Sequence, residues 1–184
     1  MFARTERLLL RPGWREDAPA LFEAICDERV VRNLAQAPWP YSFEHAEAFL
    51  TREREPRDMT LLIFLRTSGA PRLVGGIGIH RLPSGEDELG YWVARPFWGR
   101  GIATEAGRAV IANARDTLRL RRLASGHFLD NPASGRVLAK LGFRPVGTER
   151  RYSVGRGAEV PCKLFEIDLD EAPCTTSQAC AMAA

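Results

Sequence analysis

The sequence predicts a single mixed α/β domain of the α+β type. Its 184 residues suffice for one domain with its own core. The composition, 45% hydrophobic and 27% charged, is ordinary for a globular protein. Short apolar runs bounded by Gly and Pro alternate with segments whose apolar residues recur at helical spacing. These three observations favour strands and helices in one chain, without repeats.

The strand-like runs and helix starts can be placed in order along the chain. Seven strands are predicted, at residues 7–11, 59–66, 73–81, 88–93, 121–128, 144–151 and 160–169. Four helices are predicted to begin near Asp17, Ser42, Gly101 and Asn131. Residues 1–172 are predicted to form the domain. Residues 173–184 are small and polar, which predicts a disordered tail.

Charge and cysteine content exclude several classes of protein. The net charge of +3 is mild and does not call for nucleic acid or a membrane as partner. The four cysteines form no Cys-x-x-Cys pair, which favours free thiols in a reducing compartment. No apolar run reaches 18 residues, and the N-terminus does not resemble a signal peptide. A cytoplasmic protein is expected.

A glycine-rich turn between a predicted strand and a predicted helix is the most informative motif. Its sequence, Trp98-Gly99-Arg100-Gly101-Ile102-Ala103-Thr104, follows the strand at 88–93. Free amides at a helix start, together with the helix dipole, favour a phosphate or pyrophosphate ligand. No P-loop is present, and the dinucleotide fingerprint would need a third glycine at Thr104. The three histidines are scattered and Pro-Cys-x-x-Cys is absent, so neither a zinc deaminase nor another metal site is predicted.

Four motifs in this order resemble the GNAT acetyltransferases, and within them the RimJ/RimL-type branch. They lie within residues 5–11, 74–78, 90–106 and 130–143. The resemblance implies a mixed, mostly antiparallel sheet of about seven strands, splayed between the fourth and fifth, with about four helices. It implies acetyl-CoA as donor and an amine as acceptor (a protein N-terminus or a small amine). A monomer or homodimer is expected. It leaves the acceptor and the acyl preference open.

The resemblance also carries over cofactor-binding residues. The family's phosphate signature, Gln/Arg-x-x-Gly-x-Gly/Ala, corresponds to Trp98 through Ala103, with Trp98 in place of Gln or Arg. The amides expected to hold the pyrophosphate are those of Arg100, Gly101, Ile102, Ala103 and Thr104. The backbone of Tyr91 and Val93 is expected to pair with the pantetheine arm. Asn131 is expected to bond the pantetheine or to cap the turn before Pro132.

Acyl transfer to an amine also needs a base and an exit for the thiolate. Glu88 is the predicted base, with Glu86 and Asp87 as alternatives and a plain surface carboxylate as the competing interpretation. Strict alternation along the strand turns Glu88 away from Tyr91, so a bulge near Gly90 would be needed to bring them together. The amide of Val93 is the predicted oxyanion donor.

Many family members carry a tyrosine for the leaving thiolate where this chain has Leu138. Ser134 is the predicted substitute, and capping of its own helix is the competing role. No cysteine lies at a motif position, which favours direct attack in a ternary complex over a covalent enzyme intermediate. Two alternatives stay open: a catalytically weak acyl-CoA sensor, and a transferase for succinyl or other acyl groups.

Overall fold

One eight-stranded sheet organises the chain in a computed structural model that describes residues 2–53 and 58–170. The strands are β1 (Ala3–Arg4), β2 (Leu8–Arg11), β3 (Met59–Leu65), β4 (Arg72–Arg81), β5 (Asp87–Val93), β6 (Arg122–Phe128), β7 (Arg144–Ser153) and β8 (Ala158–Asp168). Their order in the sheet is β1-β2-β3-β4-β5-β6-β8-β7. Every neighbouring pair is antiparallel except β5 and β6, which run parallel.

Five α-helices cover the two faces of this sheet within the described residues. They are α1 (Ala18–Ile25), α2 (Glu28–Val31), α3 (Phe43–Thr51), α4 (Ile102–Asp116) and α5 (Pro132–Lys140). Short 3-10 helices lie at Arg15–Asp17, Arg95–Phe97 and Val154–Arg156. No helix in the described part of the chain is both long and apolar enough to cross a bilayer.

The predicted elements are present, with two additions. The seven predicted strands correspond to β2 through β8, and β1 is the eighth. Two residues are too few for an alternating pattern, and β1 exists because Ala3 and Arg4 pair with Leu10 and Leu9. The single-turn helix α2 is likewise too short for a periodic signal. The predicted tail at 173–184 lies outside the described residues.

Two of the predicted helix starts differ in their local hydrogen bonds. Ser42 precedes α3, and its amide donates to His45 Nδ1 at 3.0 Å. Asp17 precedes α1 but makes no hydrogen bond to that helix. Its carboxylate instead accepts two bonds from Arg11, each of 2.7 Å, because a guanidinium competes successfully for both oxygens.

Alternation along the strands sends apolar side chains to both faces of the sheet. On one face Leu61 and Ile63 of β3 pack in a cluster with Ile102 and Val110 of α4. The intervening residues of β3 face a second cluster, formed by Leu21, Ile25, Tyr41, Ala46, Leu50, Leu62 and Phe64. The sheet is thus covered by α4 and α5 on one side and by α1 and α3 on the other.

The sheet is splayed between β5 and β6, the fourth and fifth of the predicted strands. These two strands pair in register at one position, Glu88 opposite Ala124. Next to it, Ser125 Oγ donates to the Leu89 carbonyl oxygen at 2.8 Å and closes this end. Since no further ladder pair joins the two strands, a cleft opens towards their C-terminal ends.

Candidate functional site

A cavity of about 2020 Å³ occupies the cleft between β5 and β6 and continues along the start of α4. It brings together nine of the ten site residues predicted from sequence: Glu88, Tyr91, Val93, Gly101, Ile102, Ala103, Thr104, Asn131 and Ser134. Arg100 is the exception, because its guanidinium lies 5.3 Å from the centre of the Phe97 ring instead of lining the cavity.

The turn before α4 presents backbone donors to the cavity. Gly99 and Gly101 have φ of 74° and 75°, in the left-handed region that glycine adopts without strain. The amides of residues 99–104 donate to no protein acceptor within residues 2–53 and 58–170. The first amide after them that donates within the protein is that of Glu105, which bonds the Gly101 carbonyl oxygen. Unpaired donors at the positive end of a 15-residue helix suit an anionic ligand.

Trp98, which departs from the family's phosphate signature, braces this turn. Its indole Nε1 donates to the Val93 carbonyl oxygen at 2.6 Å. The bond ties the glycine turn to the end of β5, so the two predicted parts of the cofactor site are held together. A glutamine or arginine could make a similar bond to a carbonyl, but sequence alone did not assign this contact.

The edge of β5 that faces the cleft carries unpaired backbone groups. Ala94 donates its amide to the Val74 carbonyl oxygen of β4 at 2.8 Å. Because paired and unpaired positions alternate along an antiparallel ladder, the amides of Tyr91 and Val93 point away from β4, towards the cleft. This edge can accept an extended ligand as an additional strand.

The β4–β5 register is regular, without a bulge at Gly90. Alternation therefore holds, and Glu88 and Tyr91 project from opposite faces of β5. The bulge considered from sequence is absent, since each residue of β5 has one partner in β4. A route between the two side chains has to pass through the open cleft.

Glu88 is a buried carboxylate held by two basic side chains. It is 6% exposed. Its Oε2 lies 3.2 Å from His80 Nε2, and its Oε1 accepts a hydrogen bond from Arg151 Nη1. Burial raises the pKa of Glu88, but the bonds and charges of His80 and Arg151 outweigh it, and the pKa is lowered overall. Glu88 therefore stays ionised and is at most a weak base.

Arg151 reaches Glu88 from β7, on the other side of the cleft. The Arg151 side chain crosses β8 and β6 next to Cys162 and Gly126. Gly126 leaves room for it, since an added Cβ there would lie 3.0 Å from Cys162 Sγ and 3.5 Å from Arg151 Nη1. Arg151 also bonds Glu149 on its own strand. Sequence reasoning missed this residue, since nothing local links positions 63 residues apart.

The two alternative carboxylates are placed differently. Glu86 lines the cavity, but its Oε2 accepts from Ser84 Oγ at 2.8 Å in an exposed turn. Asp87 lies outside the cavity lining, and its Oδ1 is 3.9 Å from Arg81 Nη1. Of the three, Glu88 alone is buried inside the cleft.

A pair of hydroxyls lies on the opposite face of β5. The Tyr91 hydroxyl oxygen lies 2.7 Å from Ser134 Oγ and 2.9 Å from the Ser134 carbonyl oxygen. Burial raises the pKa of Tyr91 to about 12, and the bond with Ser134 opposes this rise. Leu138, at the position where many family members carry a tyrosine, is fully buried in the core. The Tyr91 hydroxyl had no predicted role, although alternation along β5 predicts that this side chain lies on the face opposite Glu88.

Asn131 is the N-cap residue of α5. Its side-chain Oδ1 accepts from the Ser134 amide at 3.4 Å, directly before Pro132 in the first turn. This bond is the capping role considered from sequence. Asn131 also lines the cavity, so both of its expected roles are compatible.

The ionised state of Glu88 predicts an acid-sensitive fold. The folded-state pKa is lowered, so Glu88 stabilises the protein above the ordinary glutamate pKa of about 4.3, and this contribution is lost as the pH falls below it. Glu88→Gln is expected to lower the free energy of unfolding at pH 7 by about 1–3 kcal/mol, because a charged hydrogen bond to Arg151 is lost. The difference from the parent protein should shrink towards pH 3. Urea unfolding at pH 7, 5 and 3 measures it.

Glu23→Gln, on the exposed side of α1, is the matched control for this experiment. It removes the same charge without a buried partner and should follow the parent protein at every pH. If Glu88→Gln keeps a constant deficit from pH 7 to pH 3, the ion pair is not the source of the acid sensitivity.

Comparison with known proteins agrees with this fold. Residues 7–144 match the family model described as an acetyltransferase (GNAT) domain. The chain is 30% identical over 169 residues to the N-acetyltransferase YoaA of Bacillus subtilis (strain 168), covering 89% of this chain and 94% of YoaA. It therefore belongs to the GNAT family of acetyltransferases.

Solved structures share the fold at lower identity. A GNAT acetyltransferase from Bacillus anthracis superposes with a TM-score of 0.79 at 23% identity, covering 93% of this chain and all of that one. The ribosomal L7/L12 α-N-protein acetyltransferase RimL, solved with coenzyme A, gives 0.76 at 19% identity and covers 94% and 100%. The family and fold predictions are confirmed, and one of these fold relatives, RimL, was solved in complex with coenzyme A.

Proposed function

We propose that this protein transfers the acetyl group of acetyl-CoA to α-amines, of a protein N-terminus or a small molecule, by direct attack in a ternary complex. The observation that carries the acceptor class is the ion-paired Glu88. Its lowered pKa suits an acceptor that needs little help to lose a proton.

The residues present fit acetyl-CoA. The unpaired amides of Arg100, Gly101, Ile102, Ala103 and Thr104 would hold the pyrophosphate at the start of α4. The amides of Tyr91 and Val93, on the edge of β5 that faces the cleft, would hold the pantetheine arm. Bound there, acetyl-CoA supplies an activated thioester. The Val93 amide, directed into the cleft, would donate to the carbonyl oxygen as negative charge develops on it.

The acceptor's proton is the next requirement. At pH 7 an α-amine with a pKa near 7.8 costs about 1 kcal/mol to deprotonate, whereas a lysine near 10.4 costs about 4.6 kcal/mol. Glu88, acting through a water molecule, is the proposed base. Arg151 and His80 stabilise the charged form of Glu88, which makes Glu88 a weak base. A weak base suffices for the α-amine, whose deprotonation costs the smaller of the two free energies.

The leaving thiolate is the last requirement. A thiol pKa near 8.5 makes its release at pH 7 cost about 2 kcal/mol, which one hydrogen bond can offset. Ser134 Oγ is the proposed donor. The Tyr91 hydroxyl, which donates to the Ser134 carbonyl oxygen, can then turn to donate to Ser134 Oγ, 2.7 Å away. The absence of a tyrosine at Leu138 favours the alternative of an acyl-CoA sensor without activity. The proposed hydroxyl pair of Tyr91 and Ser134 weakens that argument.

Two peptides of equal length test the acceptor class. One has a free N-terminus and no lysine; the other has an acetylated N-terminus and one central lysine. We expect at least tenfold higher kcat/KM for the peptide with the free α-amine. The difference between the two amine pKa values alone would allow a larger ratio, but peptide binding contributes to kcat/KM for both substrates. Thiol release from acetyl-CoA, with product mass to locate the acetyl group, is the measurement.

The outcomes separate the alternatives. A preference for the lysine peptide contradicts the proposed acceptor. Coenzyme A binding without thiol release, for any peptide or small amine, would instead support the sensor. Faster turnover with succinyl-CoA or longer acyl donors than with acetyl-CoA would support a different acyl transferase.

A further inference from the structure

The turn between β1 and β2 is bonded to the first turn of α4 through one carboxylate. Glu105 Oε1 accepts from Thr5 Oγ1 at 2.6 Å and from the Arg7 amide at 2.9 Å. Glu105 Oε2 accepts from Arg7 Nε at 2.7 Å and lies 2.6 Å from Arg7 Nη2. Both oxygens are thus engaged. We call Thr5, Arg7 and Glu105 the α4 bracket.

The bracket also controls the glycine turn. Arg7 Nη1 donates to the Arg100 carbonyl oxygen at 3.0 Å. In a planar trans peptide, the carbonyl of residue 100 and the amide of Gly101 point in opposite directions. A carbonyl held outward by Arg7 therefore aims the Gly101 amide inward, towards the cavity that Gly101 lines.

The charge of Glu105 makes the bracket necessary for an anionic ligand. A free carboxylate in the first turn of α4 would be attracted to the same helix end as a pyrophosphate and would repel it. Burial raises the pKa of Glu105, but the bonds from Thr5 and Arg7 lower it overall, so the carboxylate is ionised. Arg7 offsets this charge and keeps it on the outer side of the turn.

We propose that the α4 bracket is a positioning device for the pyrophosphate site: Arg7 and Thr5 hold Glu105 and the Arg100 carbonyl so that the turn is set before the ligand arrives. The proposal rests on the proposed cofactor site. It assigns a role to the Thr5-Glu6-Arg7 segment, which lies about 100 residues before the turn it orders.

The test compares coenzyme A, which carries the pyrophosphate, with pantetheine, which lacks it. Arg7→Met is expected to weaken coenzyme A binding about tenfold, since it removes two charged hydrogen bonds and leaves Glu105 without its cationic partner. Pantetheine binding should change less than twofold. Adding Glu105→Gln to Arg7→Met should restore part of the lost affinity, because the repelling charge is gone. Titration calorimetry measures the affinities.

Arg66→Met is the matched control. Arg66 Nη1 donates to the Thr5 and Glu6 carbonyl oxygens of the same turn and makes no hydrogen bond to α4. It loses the same charge, so coenzyme A binding close to that of the parent protein would exclude a general electrostatic effect.

Each result bears on the proposal. If Arg7→Met binds coenzyme A as the parent does, or loses coenzyme A and pantetheine equally, the bracket does not position the turn. The same holds if Glu105→Gln restores nothing in the Arg7→Met protein. If the parent protein itself binds no coenzyme A, the proposed cofactor site fails, and that failure is separate from these.

Discussion

Gly101→Val is expected to weaken coenzyme A binding about 100-fold, a loss of nearly 3 kcal/mol of binding free energy. Gly101 has φ of 75°, where a β-branched residue is severely strained. Its added Cβ would have ordinary space, 3.6 Å from Arg7 Nη2, so the effect comes from the backbone. Relief of the strain requires the turn to rotate, and the amides of residues 100–104 would then no longer converge.

Gly85→Val is the matched control for Gly101→Val. Gly85, in the turn between β4 and β5, has φ of 89° and comparable space around its Cβ position. It should lower the melting temperature by a similar amount and keep coenzyme A affinity. Calorimetry and thermal unfolding of both variants decide the matter. Equal losses of affinity would mean that strain anywhere, and not the turn itself, weakens binding.

Ser134→Ala is expected to lower kcat by up to about 30-fold, the equivalent of the roughly 2 kcal/mol needed to release the thiolate at pH 7. The KM for acetyl-CoA should change little, because the lost bond is proposed to act on the leaving group. Tyr91→Phe removes the partner hydroxyl 2.7 Å away and should lower kcat less. Steady-state thiol release measures both parameters.

A double-mutant cycle separates a relay from two independent structural effects. If Tyr91 acts through Ser134, Tyr91→Phe has no further effect in the Ser134→Ala protein. Thr117→Val, which removes an exposed hydroxyl at the end of α4 that accepts from Asn113, should leave kcat unchanged. Additive losses in the cycle, or an unaltered kcat in Ser134→Ala, would rule out the proposed pair.

The glycine turn shows what local sequence can predict. Gly99 and Gly101 have the left-handed φ that makes such a turn possible, and the following helix begins at Ile102, next to the predicted start. The alternation of β5 was equally informative, since Glu88 and Tyr91 do lie on opposite faces. Both features depend on residues within a few positions of each other, so the local sequence pattern predicts them.

The surroundings of the same residues were not predictable in this way. Glu88 acquires Arg151 from β7, and Tyr91 meets Ser134 of α5. Glu105 is held by Arg7 from the turn between β1 and β2. These partners are 43 to 98 residues apart in the chain, and no periodicity relates them.

The sequence by itself determined seven of the eight strands, the main helices, the glycine turn before α4 and the family of this acetyltransferase, because spacing and glycine chemistry act over short distances. Only the tertiary structure decided the surroundings of the site: an ion-paired Glu88, the contact between the Tyr91 and Ser134 hydroxyls, and a glycine turn bonded to Arg7. Hydrogen bonds and pKa values depend on groups within a few ångströms, and the splayed sheet brings those groups together from distant parts of the chain.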